Sequence, residues 1–128
     1  MSKSEQKIKF NFKIWLETEN STGIMGLTFM KLLKEIDSQG TLNHAIESMG
    51  LHYRKTWDKI KQIEKILGFK IIFTHRGGTQ HGNTELTSEG RILVDMLENI
   101  YFDCQIYFTE KCKIATEELN KKIRKISS

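Results

Sequence analysis

Three glycines constrain this chain more than any other feature. Gly40, Gly50 and Gly68 each close a run whose apolar residues recur at helical spacing. Glycine enters the left-handed backbone region without a side-chain clash, so a glycine behind such a run reads as its stop. The first run, 27–38, carries Leu27, Met30, Leu33 and Ile36, with Phe29 and Leu32 beside them. The second, 42–49, carries Leu42, Ala45, Ile46 and Met49, and the Thr41 hydroxyl before it can cap its first turn. The third, 53–67, places Thr56, Ile60, Ile63 and Leu67 on one face. The spacing predicts three helices, the last two joined by a three-residue turn in which Leu51 is an apolar plug and His52 stands at the cap position.

The flanks read differently. Ile8, Phe10, Phe12, Ile14 and Leu16 alternate with Lys9, Asn11, Lys13, Trp15 and Glu17, which predicts a strand over 8–17 with one buried face. Residues 19–23 form a turn or loop. Phe69, Ile71 and Phe73 alternate in a second predicted strand, 69–75. A glycine-rich tip follows over 76–83, with a short return strand at 84–86. Thr87 or Ser88 caps a last helix. Its apolar stripe takes in Ile92, Leu93, Met96, Leu97, Ile100, Tyr101, Cys104, Tyr107 and Phe108, and thins through Ile114, Leu119, Ile123 and Ile126. The expected fold is mainly α with a small β component. Residues 1–87 form one domain, and 88–128 a long helix whose stripe exceeds what a domain of this size can bury alone.

Composition excludes several classes. With 128 residues, 38% apolar and 28% charged, the chain suits one globular domain and not a disordered segment. Two cysteines make no disulfide framework, the polar start is no signal peptide, and no apolar run approaches a membrane span. A reduced, cytoplasmic setting is expected. There is no GxGxxG, P-loop or nucleophile elbow, and no acid pair shares a plausible cleft, so no enzyme, catalytic residue or cofactor is expected. His75, His81, Cys104 and Cys112 match no zinc spacing, so no metal is expected. Cys104 lies on the apolar stripe and reads as a buried small hydrophobe, and Cys112, eight residues on, cannot pair with it within one chain.

Charge is uneven. The net charge is +4. Residues 52–76 hold seven basic residues against two acidic ones, whereas 88–128 are balanced at seven of each. A basic stretch on one element is the footprint of a polyanion partner, although a solvated helix face gives the same count. Two helices joined by a tight turn and followed by a hairpin make the winged helix-turn-helix pattern, in which the start of the second helix enters the DNA major groove. Ala45 is small so that two helices can approach closely. In that reading Tyr53 and Arg54 contact bases. Lys55 and Lys59 contact phosphates, which position without specifying. His52 caps the helix and touches phosphate, and Arg76, Gly77 and Gly78 lie on the backbone or in the minor groove. Trp57 is expected to pack against the wing or first helix, and Asp58 to pair with Arg54 four residues back.

The stretch from Thr41 to Ile60, with its Gly50-Leu51-His52-Tyr53 turn and its Trp57-Asp58-Lys59-Ile60 segment, resembles the DNA-binding domain of ModE-type molybdate-dependent regulators. It resembles LysR-type regulators more loosely. Arg76-Gly77-Gly78 and Leu86-Thr87-x-x-Gly90 extend the likeness, which covers about residues 25–110. The resemblance implies a homodimeric transcription factor reading a palindromic operator in double-stranded DNA. It also implies that the first strand and the long helix take part in dimerisation, here through Leu93, Met96, Leu97, Ile100, Tyr101, Cys104, Tyr107 and Phe108. The chain ends at Ser128, where the family's molybdate-binding domains usually follow, so a stand-alone domain is expected and oxyanion sensing is not carried over. The basic recognition helix keeps the operator sequence from being borrowed as well. Two alternatives stay open. One is a winged-helix adaptor that binds protein instead of DNA, for which an apolar or acidic helix face would be the mark. The other is a sensor half with a small ligand between long helices, although nothing in the sequence names one.

Overall fold

The computed structural model describes residues 6–75 and 83–127. The elements run β1 (Trp15–Glu17), β2 (Gly23–Gly26), α1 (Leu27–Gln39), α2 (Leu42–Ser48), α3 (Tyr53–Leu67), β3 (Ile72–His75), β4 (Asn83–Leu86) and α4 (Ser88–Ser127). This is a winged helix-turn-helix followed by a long C-terminal helix. Residues 14–99 form one compact unit, and 6–13 with 100–127 form another.

The three glycines do what their positions predict. Gly40, Gly50 and Gly68 take φ of 77°, 65° and 80°. The amides of Gly40 and Gly68 close their helices on Ile36 and Glu64. Thr41 caps α2, its Oγ1 accepting from the His44 amide at 3.1 Å. His52 stands at the N-cap of α3, but its side chain makes no capping bond, contrary to the sequence reading. Only its carbonyl serves, accepting from Thr56.

The core of the 14–99 unit lies between α1, α2, α3, the hairpin and the first turns of α4. Leu33, Ile36, Ala45, Ile60 and Ile71 are fully enclosed there. Ala45 is the small residue that lets α2 sit close to α1.

Two strand expectations need correction. Only Trp15–Glu17 of the expected 8–17 strand pairs, because its partner β2 is four residues long. Residues 8–12 instead lie beside the later turns of α4, where the Ile8 amide donates to Asn120 Oδ1 (3.0 Å) and Asn120 Nδ2 donates to the Ile8 carbonyl (2.9 Å). Phe12 packs there on Tyr101 and Phe108, at centroid distances of 5.6 and 4.7 Å, while Ile8 and Phe10 stay exposed. The second strand begins at Ile72, and Ile71 and Ile72 are both buried while Phe69 and Phe73 are not. Period-2 alternation fails there because Ile71 precedes the ladder and is fixed by other bonds.

Those bonds join α4 to the hairpin. The Thr87 amide donates to the Ile71 carbonyl (2.8 Å), and the Thr87 hydroxyl donates to the Lys70 carbonyl (2.6 Å). The same Oγ1 accepts from the Gly90 amide (2.9 Å), so Thr87, and not Ser88, caps α4. Gly90 sits so close that a Cβ there would meet the Ile71 carbonyl oxygen at 2.2 Å. Further along, Arg91 grips Asp37 of α1 through two hydrogen bonds (2.8 and 2.9 Å), and Lys34 pairs with Glu98. The hydrogen bonds to Asp37 first, and its charge second, hold the Arg91 guanidinium above its usual pKa.

Gly90→Ala should therefore cost about 1–3 kcal/mol in urea unfolding, because the backbone it strikes has nowhere to retreat. Gly23→Ala, where an added Cβ meets nothing within 4 Å, should stay within about 0.5 kcal/mol.

Candidate nucleic-acid interface

The candidate face is the first two turns of α3. Ile60, Ile63 and Thr56 turn one side of this helix into the core. Tyr53, Arg54, Lys55 and Lys59 in these turns are exposed to solvent. Tyr53 is 54% exposed, and the Arg54 side chain 89%. Arg54 Nε lies 3.7 Å from Asp58 Oδ2, the pair read from the sequence, but both partners are so open to solvent that it fixes little. Lys55 and Lys59 make no ion pair with any described residue. Trp57 is half-buried against the core, and Lys61 Nζ stands 4.6 Å from its ring centroid. The four expected contact residues of α3 are therefore all open to solvent at the start of the helix, and Trp57 packs instead of joining them.

Sequence reasoning missed the residue that holds this helix to the wing. Glu64 is buried, and its Oε2 accepts the amides of Ile71 (2.7 Å) and Ile72 (3.3 Å). Lys61 Nζ approaches the other oxygen at 3.5 Å. Two backbone donors and one cation replace the water this carboxylate gives up. The signal was its place in the stripe. Position 64 follows Ile60 by four and Ile63 by one, on the inward side of the helix.

On the hairpin, His75 Nε2 lies 3.7 Å from Glu85 Oε1 across the β3–β4 ladder, and the His75 ring meets Phe73 edge-on at 4.6 Å. The Thr84 amide donates to the Gly40 carbonyl (2.8 Å), which ties the base of the wing to the end of α1. The expected wing contacts Arg76, Gly77 and Gly78, and His81 with them, lie outside the described residues. Among the described residues no three His, Cys, Asp or Glu side chains gather as a metal site would require.

The residues read as a dimerisation stripe go to different places. Leu97 is in the core of the 14–99 unit and Leu93 packs on it half-buried. Tyr101 and Phe108 pack on Phe12. Met96, Ile100 and Tyr107 are exposed, as are Ile92 and Ile114. Cys104 is exposed too, against the expectation of a buried thiol, although it lies on the same side of α4 as Tyr101 and Phe108. Cys112 is half-buried, and both thiols are free.

No family model matches the chain. Over 97 residues it is 29% identical to the molybdenum transport protein ModE of Azotobacter vinelandii, an alignment covering 76% of this chain and 36% of that protein. Over 69 residues it is 29% identical to the transcriptional regulator ModE of Haemophilus influenzae, covering 54% and 27%. The likeness is to ModE-type proteins. The resemblance carried by residues 41–60 thus has curated counterparts, and the chain spans about a third of their length or less. A crystal structure of ArgP from Mycobacterium tuberculosis aligns with 64% of this chain and 29% of its own, at 15% identity and a TM-score of 0.48. Among the described residues no helix is long and apolar enough to cross a membrane.

If Glu64 carries the wing, Glu64→Ala should cost about 2–3 kcal/mol by leaving two buried amides without an acceptor. Glu64→Gln should cost less. Amide hydrogen exchange should quicken at Ile71 and Ile72 in the Ala variant while α1 and α2 stay protected; uniform quickening would place its role elsewhere.

Proposed function

We propose that this chain is a DNA-binding transcriptional regulator without enzymatic activity. The observation that carries the reading is the state of α3. Its inner side is bolted to the core by Ile60, Ile63 and Glu64, while its first two turns expose Tyr53, Arg54, and Lys55 and Lys59, which make no ion pair among the described residues. A rigid helix with an open basic start fits the width of the major groove. The ModE-type likeness supports the same class.

The mechanism divides labour by reach. Tyr53 and Arg54, at the helix start, address base edges, and Lys55 and Lys59 address phosphates. The basic window also raises the rate of encounter with a polyanion. The active species is a homodimer. Its support is an apolar stripe on α4, where Ile100, Tyr107 and Ile114 recur every seven residues and are each at least half exposed. A second copy would cover them and set two α3 helices in successive major grooves, about 34–36 Å apart.

Selection from random duplex DNA should enrich a twofold-symmetric site, and affinity should fall steeply with salt. Arg54→Ala should cost about 1–3 kcal/mol at that site and relax its sequence preference. Lys59→Ala should weaken all sequences alike and lower the salt slope by about 1. Weak binding with no enriched sequence would favour the adaptor reading.

A further inference from the structure

Beside the proposed DNA face lies a groove of about 420 Å³ whose apolar floor this reading does not use. Its floor is Met25 of β2, Phe29 and Leu32 of α1, and Leu51 of the turn. Its rim carries Lys55 and Lys59, one helical turn apart on α3, and no carboxylate lines it. The volume falls within the roughly 300–1,000 Å³ usual for small-molecule sites, and an apolar floor with a few convergent polar groups is their usual make-up. The start of α3 opens on the same groove and has no side-chain cap, so its amide dipoles add to the positive end.

We infer that this groove binds a small amphipathic anion, a carboxylate on an aliphatic or aromatic body, and that the bound anion competes with DNA. The apolar body displaces water from Met25, Phe29, Leu32 and Leu51. The carboxylate pairs with Lys55 and Lys59, which have no partner among the described residues. Charge complementarity selects the occupant. A neutral apolar ligand leaves two cations unanswered, and a bare inorganic anion leaves the floor wet. The competition rests on the proposed DNA reading, because the same two lysines would be withdrawn from phosphate; the binding itself does not.

The probe is 4-phenylbutyrate, with its neutral amide as control, titrated into the full chain and followed by amide chemical shifts. Saturable shifts centred on Met25, Gly26, Leu51 and Thr56, absent with the amide, are expected. Affinity should be about tenfold weaker in Lys55→Gln/Lys59→Gln, about 1.4 kcal/mol. Thr28→Phe, an exposed groove residue enlarged to fill it, should abolish the shifts while leaving the fold intact. No shifts with the anion, or equal shifts with the amide, would overturn the site. In a second arm, saturating 4-phenylbutyrate should weaken DNA binding by wild type and not by Thr28→Phe; unchanged affinity would overturn the competition. Absence of DNA binding altogether would sink the function proposed above and leave the first arm standing on its own.

Discussion

The backbone of Ile71 is where this fold is joined. Its amide is taken by the buried Glu64 carboxylate of α3, its carbonyl by the Thr87 amide at the start of α4, and its side chain is fully enclosed in the core. Gly90 leaves the room for that carbonyl. One residue between two elements thus fixes the angle at which the wing leaves α3 and the point at which α4 begins. The bond to Glu64 is buried, so its alternative partner, water, is excluded there. An open basic face on α3 can be held in one orientation only if the other side of that helix is fixed in this way.

The helices were legible and the joint was not, for one reason. Burial of a helix face leaves a period in the sequence, and 53–67 was read to the residue from Thr56, Ile60 and Ile63. A hydrogen bond from one carboxylate to two backbone amides leaves no period at all. Glu64 counts as a surface acid unless its place on the inward stripe outweighs its charge, and Ile71 counts as one half of a strand alternation it does not belong to. The expected 8–17 strand fails in a related way. Its alternation is real, with Phe12, Ile14 and Leu16 half-buried and their neighbours exposed. A strand also needs a partner of equal length, and Gly23–Gly26 supplies four residues. Pattern reports which side is dry, and pairing has to be sought elsewhere in the chain.

The long helix shows the limit of a wide stripe. Nine apolar positions from Ile92 to Phe108 are too many for one side of a helix, and the structure sorts them. Leu97 belongs to the core with Leu93 half-buried against it, Tyr101 and Phe108 meet Phe12, and Ile92, Met96, Ile100, Cys104 and Tyr107 remain open. Spacing separates these groups once the inward positions are known, because Val94, Leu97 and Tyr101 run along one side and Ile100, Tyr107 and Ile114 along another. The remaining open set is narrower than the sequence suggested and recurs every seven residues. That makes it a better candidate for self-association than the broad stripe was, since a seam between helices needs a narrow, repeating line of contact.

The pairing of Arg54 with Asp58 bears on how a basic helix could discriminate. A helix start carrying only cations would bind any polyanion, since phosphates present the same charge at every step. An acid one turn behind Arg54 partly answers its charge, so a bare phosphate gains less from the guanidinium than a lysine would give it. A base edge offering two aligned acceptors gains more, because the guanidinium fork matches it in direction as well as in charge. The 3.7 Å separation and the exposure of both partners keep the pair cheap to open. On the DNA-binding reading proposed above, Asp58 would bias Arg54 toward base edges, while Lys55 and Lys59, which make no ion pair with any described residue, would supply affinity.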